Sequence, residues 1–126
     1  MTQGQTNIQK YYTGVGSRET PEDVLALMTL TADLLEQKGY ILRSGGAEGA
    51  DRAFEQGVRD QRNKRIYYAE QASPAAMELA AKYHPAWHHC TPYARKLHGR
   101  NSFQVLGFDL DAPSKFLICW TEDGCI

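Results

Sequence analysis

The chain alternates between short runs of β-forming residues and longer segments whose apolar residues recur at helical spacing. Four runs predict strands, at residues 10–15, 40–43, 64–69 and 115–120. The last run, Lys-Phe-Leu-Ile-Cys-Trp, is almost continuously apolar, which is typical of a strand covered on both faces. The sequence therefore predicts four strands separated by helical segments.

The first helix is predicted from its start and stop signals. Thr20 is expected to cap it, with Pro21 at the first helical position and two acidic residues in the first turn. Gly39 supplies the glycine that commonly follows a helix. Further helical segments are predicted at residues 49–62, 75–83, 91–98 and 101–106, and Asn101 is expected to cap the last of them.

Strands that alternate with helices predict an α/β domain with a parallel sheet. Because crossover connections are right-handed, strands two and three step outward from strand one, and strand four returns to its other side. The expected strand order is 3-2-1-4. The point at which the order reverses lies between strands one and four, and ligands bind at such crevices beyond the carboxyl ends of the strands.

Two glycine-rich loops follow strands one and two and meet at that edge. The first is Gly14-Val15-Gly16-Ser17-Arg18, and the second is Ser44-Gly45-Gly46-Ala47-Glu48-Gly49. Glycines let backbone N–H groups approach an anion, Ser17 offers a hydroxyl, and Arg18 offers a guanidinium group. The candidate ligand-binding residues are Gly16, Ser17, Arg18, Ser44, Gly45, Gly46, Glu48, Gly49, Asp51, Arg100 and Asn101.

Several of these residues also have a purely structural interpretation. The glycines alone are compatible with tight turns between strand and helix. Asp51 can accept a hydrogen bond from a ribose hydroxyl or cap the second helix, and the cap is the favoured interpretation. Glu48 places a favourable charge at a helix start. Neither loop carries the complete dinucleotide or Walker fingerprint.

Charge limits the ligand classes. Lys plus Arg number 14 and Asp plus Glu 15, which gives a net charge of −1 and no overall basic excess for nucleic acid. The basic run of Arg95, Lys96, His98 and Arg100 is either a solvated helix face or a local contact for phosphate or DNA. Of these, Arg100, with Asn101 beside it at an expected helix start, is the favoured ligand contact.

The cysteines and histidines predict reduced thiols and no metal. Cys90, Cys119 and Cys125 form no closely spaced pair, which favours a cytoplasmic protein. His88, His89 and Cys90 are adjacent, and adjacent residues rarely supply a closed metal site, even with His84 and His98 nearby. No secretory signal and no membrane-spanning run is recognisable, so a membrane is not expected as a partner. No cofactor is expected either.

The two loops together resemble a known group. Gly16-Ser17-Arg18, followed at a distance by Ser-Gly-Gly-Ala-Glu-Gly-Ala-Asp, is similar to the SLOG superfamily of Rossmann-like proteins, which includes DprA/Smf proteins and LOG-type nucleotide phosphoribohydrolases. The stretch from His98 to Gly107 and the segment from Cys119 to Gly124 add to the likeness, which spans roughly residues 10–124. The sequence is most similar to small single-domain members often carried by phages.

This resemblance implies a Rossmann-like three-layer fold and a phosphorylated nucleoside-type ligand, such as a nucleotide signal used in host defence. Binding of single-stranded DNA, as in DprA, is an alternative that would add Arg95 and Lys96. N-glycosidase activity on nucleoside monophosphates is another. Relatives usually continue past the position of Gly124 into a second glycine-rich loop, a helix and a last strand, and in LOG-type enzymes that loop carries a catalytic glutamate. The fold is therefore expected to be C-terminally abbreviated, and no enzyme activity is carried over.

The apolar fourth strand also predicts self-association. In the order 3-2-1-4 it lies at the edge of the sheet, and only Lys115 protects it with a charge. A homodimer that covers residues 116–120 is the expected arrangement. The alternative is a monomer in which the long connection at residues 71–113 folds over the edge.

Overall fold

Four parallel strands form the sheet in the predicted order, β3-β2-β1-β4. The structure, a computed structural model, describes residues 9–122. The sequence predicts a polar, flexible lead-in at residues 1–9, and all of it except Gln9 lies outside this range, as does the chain after Glu122. The elements are β1 Lys10–Gly14, α1 Glu22–Gln37, β2 Tyr40–Ser44, α2 Ala50–Gln56, β3 Lys64–Ile66, α3 Pro74–Tyr83, α4 Pro92–Leu106 and β4 Leu117–Ile118, with 3₁₀ turns at Gln61–Asn63, Ala69–Gln71 and Trp87–His89.

The order of the strands places the helices on opposite faces of the sheet. β1 pairs with β2 through Tyr12 and Leu42, and with β4 through Thr13 and Leu117. The chain steps from β1 to β3 through α1 and α2, then returns through α3 and α4 to the far side of β1. Right-handed crossovers in opposite directions put the two pairs of helices on different faces.

Each face has its own apolar core. On the first face, α1 and α2 pack Met28 and Phe54 against the fully buried side chains of Tyr12 and Leu42. On the second face, Phe103 of α4 contacts Tyr67, which follows β3, and both pack with Ala76 of α3. These layers make a Rossmann-like three-layer α/β fold, as predicted.

The start of α1 differs from the prediction. Thr20 does not cap the helix, since its hydroxyl donates to the carbonyl of Ser17 at 2.6 Å and the side chain is buried. Pro21 takes the cap position without a side-chain hydrogen bond. Thr20 therefore stabilises the loop before α1 and not the first turn of the helix.

α2 ends six residues earlier than residue 62, where it was expected to end. Gly57 lies at a close crossing with α1, where a Cβ atom would sit 2.2 Å from the Thr29 carbonyl oxygen. Beyond it, the Glu36 carboxylate accepts hydrogen bonds from the N–H groups of Arg59 (2.9 Å) and Asp60 (3.0 Å). The amides that would have continued the helix are thus held by α1.

α4 is one continuous helix where two segments were predicted. Gly99 does not interrupt it, because this glycine is buried against α3, and a Cβ atom there would lie 2.8 Å from Cγ of Met77. Arg100 and Asn101 consequently lie in the middle of the helix, and the prediction that Asn101 caps a helix was wrong.

β4 is shorter and more exposed than predicted. Only Leu117 and Ile118 have strand geometry, and Leu117 is 45% exposed. Ile118 and Trp120 pack against the first-face core, while Phe116 stacks on Tyr12 with ring centroids 5.7 Å apart. Within residues 9–122, no helix is both long and apolar enough to cross a bilayer.

We expect the β4 edge to mediate association, because an exposed, mostly apolar edge strand offers unpaired backbone groups to a second copy. Sedimentation velocity at micromolar concentration should show a dimer, and Leu117→Lys should shift it to monomer. Leu27→Lys, on the 61% exposed Leu27 of α1, is the matched control and should leave the dimer intact. A wild-type monomer, or dissociation by the control alone, would contradict the edge contact.

Candidate functional site

A crevice of about 700 Å³ opens where β1 and β4 end. It lies at the reversal of strand order, where ligands bind in open parallel sheets. Its walls come from the loop after β1, the first turn of α2, the inner face of α4 and the chain after β4. We call it the switch-point crevice. It is lined by Thr13, Val15, Gly16, Ser17, Arg18, Ala47, Asp51, Leu97, Arg100, Asn101, Gln104, Val105, Leu117, Cys119, Trp120, Thr121 and Glu122.

The structure brings together some of the predicted residues and separates others. The switch-point crevice contains Gly16, Ser17, Arg18, Asp51, Arg100 and Asn101. The remaining candidates lie elsewhere. Ser44 is fully buried and donates its hydroxyl to the Gly14 carbonyl at 2.6 Å, so it joins two strand ends. Glu48 and Gly49 line a separate cavity between α1 and α2.

The other two glycines of the second loop serve its packing. Gly45 is buried, and a Cβ atom on it would overlap the side chains of Arg100 and Asp51 at 2.8 Å each. Gly46 has a positive φ of 73° and faces Ile66 and Tyr68 at the end of β3. Neither glycine lies on the wall of the crevice.

Asp51 does not cap α2, which was the favoured interpretation of the sequence, because Gly49 holds the cap position and no side chain bonds there. Its side chain is only 5% exposed, and Oδ2 accepts a hydrogen bond from the Ala47 N–H at 3.4 Å. Burial raises the pKa of this carboxyl above its ordinary value, while the N–H groups of Ala47, Gly16 and Gly45 and the nearby Arg100 oppose the rise. Amides of both glycine loops thus point at an internal carboxylate, which corrects the expectation that they hold phosphate.

The first amide of α2 is also satisfied within the protein. The Ser17 carbonyl accepts from Ala50 N at 3.3 Å as well as from Thr20. A Cβ atom at Gly16 would lie 2.7 Å from the Ala50 Cβ, so glycine at this position allows the first loop to contact the start of α2. The helix start therefore fixes the first loop and does not face the crevice as a free anion site.

Arg100 is partly engaged in holding the fold. Its Nη1 donates to the carbonyls of Gly45 and Tyr67, both at 2.9 Å, and its Nε donates to the Asn101 side chain at 3.1 Å. Burial lowers its pKa, which Asp51 partly offsets. Arg100 thus ties α4 to the ends of β2 and β3 while lining the crevice.

Ser17 and Arg18 keep groups that a ligand can use. The Ser17 hydroxyl oxygen accepts the Glu19 N–H at 2.8 Å, which leaves its hydrogen to donate elsewhere. Arg18 is exposed at the rim. The ion pairs found within residues 9–122 are Arg59–Asp33, Arg62–Asp60 and Lys64–Glu55, so Arg18 is in none of them.

The opposite wall contains residues that were not predicted as ligand contacts. Trp120, Thr121 and Glu122 follow β4, and Gln104 reaches the crevice from α4. Gln104 is 5% exposed, and its backbone carbonyl accepts a hydrogen bond from the Thr13 hydroxyl. The position of Trp120 at the end of the fourth predicted strand was a usable signal, because ligands bind beyond the carboxyl ends of all the strands at a switch point.

The basic run does not form one surface. Arg95 lies over the Trp87 ring, 5.5 Å from its centroid, and donates to the Trp87 carbonyl. Lys96 is exposed outside the crevice, and His98 faces α3. Of the run, only Arg100 lines the crevice.

Fold and site together define an α/β protein with a crevice at the switch point of a parallel sheet. Comparison of the chain with family models, curated proteins and solved structures found no match. The class of ligand is therefore inferred from the architecture and from the side chains that line the crevice.

Gly49→Ala should destabilise the protein more than Gly39→Ala. Both glycines have a positive φ, 88° and 89°, which a residue with a side chain rarely adopts. Gly49 also has a ψ of −128°, which lies outside the left-handed helical region and adds to the strain of a side chain there. At Gly49 a Cβ atom would also lie 2.7 Å from Ser17 O and Arg18 Cα, whereas at Gly39 the nearest atom is 3.8 Å away. Urea unfolding should show a further loss of about 2 kcal/mol for Gly49→Ala. Equal losses would contradict the tight contact of the two loops.

Asp51→Asn should remove a pH dependence of stability. Because the folded pKa of Asp51 is raised, the carboxyl contributes most to stability below its ordinary value of 3.8, and this contribution is lost as pH rises through the folded value. The unfolding free energy of wild type minus that of the variant should therefore fall as the pH rises above the ordinary carboxyl value of 3.8. A difference that rises with pH would contradict the assigned environment.

Proposed function

We propose that the switch-point crevice binds a nucleotide-sized, phosphorylated nucleoside. The observation that carries this proposal is the convergence of the first glycine loop, the start of α2 with Asp51, α4 and the end of β4 on one cavity beyond the carboxyl ends of the strands. Its volume of about 700 Å³ lies within the range of small-molecule sites. The similarity of the loop motifs to SLOG proteins points in the same direction.

The charges along the crevice divide it into regions with different preferences. Arg18 and the Ser17 hydroxyl lie on the first loop and suit a phosphate group. The buried Asp51 carboxylate repels phosphate and suits a ribose hydroxyl as an acceptor. In this arrangement the phosphate lies toward the rim and the sugar lies inward.

The remaining wall suits a base. Trp120 offers an aromatic face, and the apolar side chains Val15, Leu97, Val105 and Leu117 line the same cavity. Base–aromatic stacking is worth about 1–3 kcal/mol per base. Asn101 and Glu122 can supply hydrogen bonds to base edges or sugar.

The charge balance favours a small nucleotide over a nucleic-acid strand. Within the crevice, Arg18 and Arg100 are matched by Asp51 and Glu122. Arg95 is stacked on Trp87, away from the crevice, so within residues 9–122 the basic run from Arg95 to Arg100 does not continue out of the crevice as a track. A strand with several phosphates would need such a track.

Calorimetry with the four nucleoside monophosphates AMP, GMP, CMP and UMP, and with the matching nucleosides, tests the proposal. Arg18→Ala should weaken binding of the preferred monophosphate about ten- to hundred-fold, since a charge-assisted hydrogen bond is worth about 1.5–3 kcal/mol. The nucleoside should bind more weakly and should be indifferent to this change. The matched control is Arg52→Ala, because Arg52 is exposed on the α1–α2 side.

Two results would overturn this assignment. One is equal loss of affinity in the Arg18 and Arg52 variants. The other is binding of a single-stranded oligonucleotide that weakens by about 0.7 log units per log unit of salt for each phosphate contacted and that monophosphates do not displace.

A further inference from the structure

Three potential metal ligands meet at the hairpin between α3 and α4, away from the switch-point crevice. His84 follows α3, Cys90 directly precedes the Thr91 cap of α4, and His98 lies within α4. One ligand atom from each residue lies within 4.8 Å of the others. His84 Nε2 is 3.9 Å from Cys90 Sγ, and the two imidazole ring centroids are 4.4 Å apart.

The surroundings hold this cluster in place. The Trp87 ring packs against His84 at 6.2 Å and against His98 at 6.4 Å between centroids. All three ligand residues are half-buried, whereas His88 and His89 are exposed and contact each other. The adjacent His-His-Cys run is therefore not the ligand set, and the convergent residues come from three separate places along the hairpin.

The donor set selects one class of cation. Two imidazoles and a thiol suit zinc and other borderline or soft transition metals, and not magnesium or calcium, which prefer oxygen ligands. Zn–S bonds of about 2.3 Å and Zn–N bonds of about 2.0 Å at a tetrahedral angle place sulfur and nitrogen about 3.5 Å apart. The His84–Cys90 distance of 3.9 Å is close to that value.

We propose that His84, Cys90 and His98 bind one zinc-class divalent cation, which fastens α3 to α4. Three protein ligands leave a fourth position for water. Because the ligands span the connection between the two helices, the expected effect is on the stability of the hairpin, and the site does not depend on the function proposed for the crevice.

Binding requires a defined rearrangement of protons. The Cys90 thiol loses its proton to solvent and binds as thiolate. His84 and His98 bind as neutral imidazole rings. At His84, Nδ1 accepts the Ala86 N–H at 3.0 Å, so the ring proton is on Nε2 and must move to Nδ1 when Nε2 binds. The hydrogen bond from the Ala86 N–H to Nδ1 is then lost, while Nε2 gains the coordinate bond. The proton released per metal is that of the Cys90 thiol.

Cobalt(II) titration of the metal-stripped full chain tests the proposal. The Cys119→Ser/Cys125→Ser background keeps Cys90 as its single thiol. This protein should develop tetrahedral d–d bands and a sulfur-to-cobalt charge-transfer band with one equivalent, and Zn²⁺ should displace the cobalt. Further change of Cys90 to Ser or Ala should abolish the charge-transfer band. His98→Gln retains the thiol and should weaken cobalt binding at least about tenfold.

His88→Gln and His89→Gln are the matched controls, because both side chains are close in sequence but outside the cluster, and both should titrate like the parent. Zinc should raise the thermal midpoint of the parent protein and not that of His98→Gln. The proposal is overturned by a parent without a charge-transfer band, by a band that survives the loss of Cys90, or by an equal effect of the histidine controls and His98→Gln.

Discussion

The arrangement of the site depends on the buried carboxylate of Asp51. Two loops rich in glycine leave their backbone N–H groups close together at the end of the sheet, and such groups need an acceptor when they are removed from water. Asp51 supplies it from the first turn of α2, at a position where the helix dipole also favours a negative charge. The loops are thus joined through an anion that the chain itself provides.

A second set of contacts fixes α4, the other wall of the crevice. Arg100 donates from the helix to carbonyls at the ends of two strands. From the sheet, the buried Arg43 donates in the opposite direction, to the carbonyls of Val105 (3.2 Å) and Ala112 (2.6 Å), while its guanidinium lies 3.8 Å from the centroid of the Tyr11 ring. Of the four carbonyls that accept from these arginines, that of Val105 lies in the last turn of α4, where partial negative charge accumulates. The charges of both arginines are therefore part of the scaffold as much as of any ligand site.

The sequence predicted the fold better than the roles of individual residues, and the reason is physical. Strand order follows from the alternation of elements and from crossover handedness, which are visible along the chain. The continuity of α4 depends on whether Gly99 faces solvent or another helix, and this is decided by Met77, more than twenty residues away. The same limit applies to Ser44 and Asp51, because a side chain of the right chemistry on the right loop can still point into the protein.

The cluster of His84, Cys90 and His98 also could not be predicted from the sequence. Adjacent His88 and His89 are conspicuous in the sequence, yet the structure exposes them. His84 and His98 meet because two helices turn back on each other, and Gly99, next to His98, permits that close approach. Spacing along one segment could not reveal a site that depends on tertiary contact between three.

The internal position of Asp51 has a kinetic consequence for any anion that enters the crevice. In a phosphate loop whose amides bind only the ligand, the loop must become ordered as the ligand arrives, and this slows association and reduces affinity. Here the acceptor is already covalently part of the chain, so the two loops have their final shape before encounter. For the ligand proposed above, we expect association to be governed by diffusion to the rim, where Arg18 lies, and selectivity to be expressed mainly in how quickly different ligands leave.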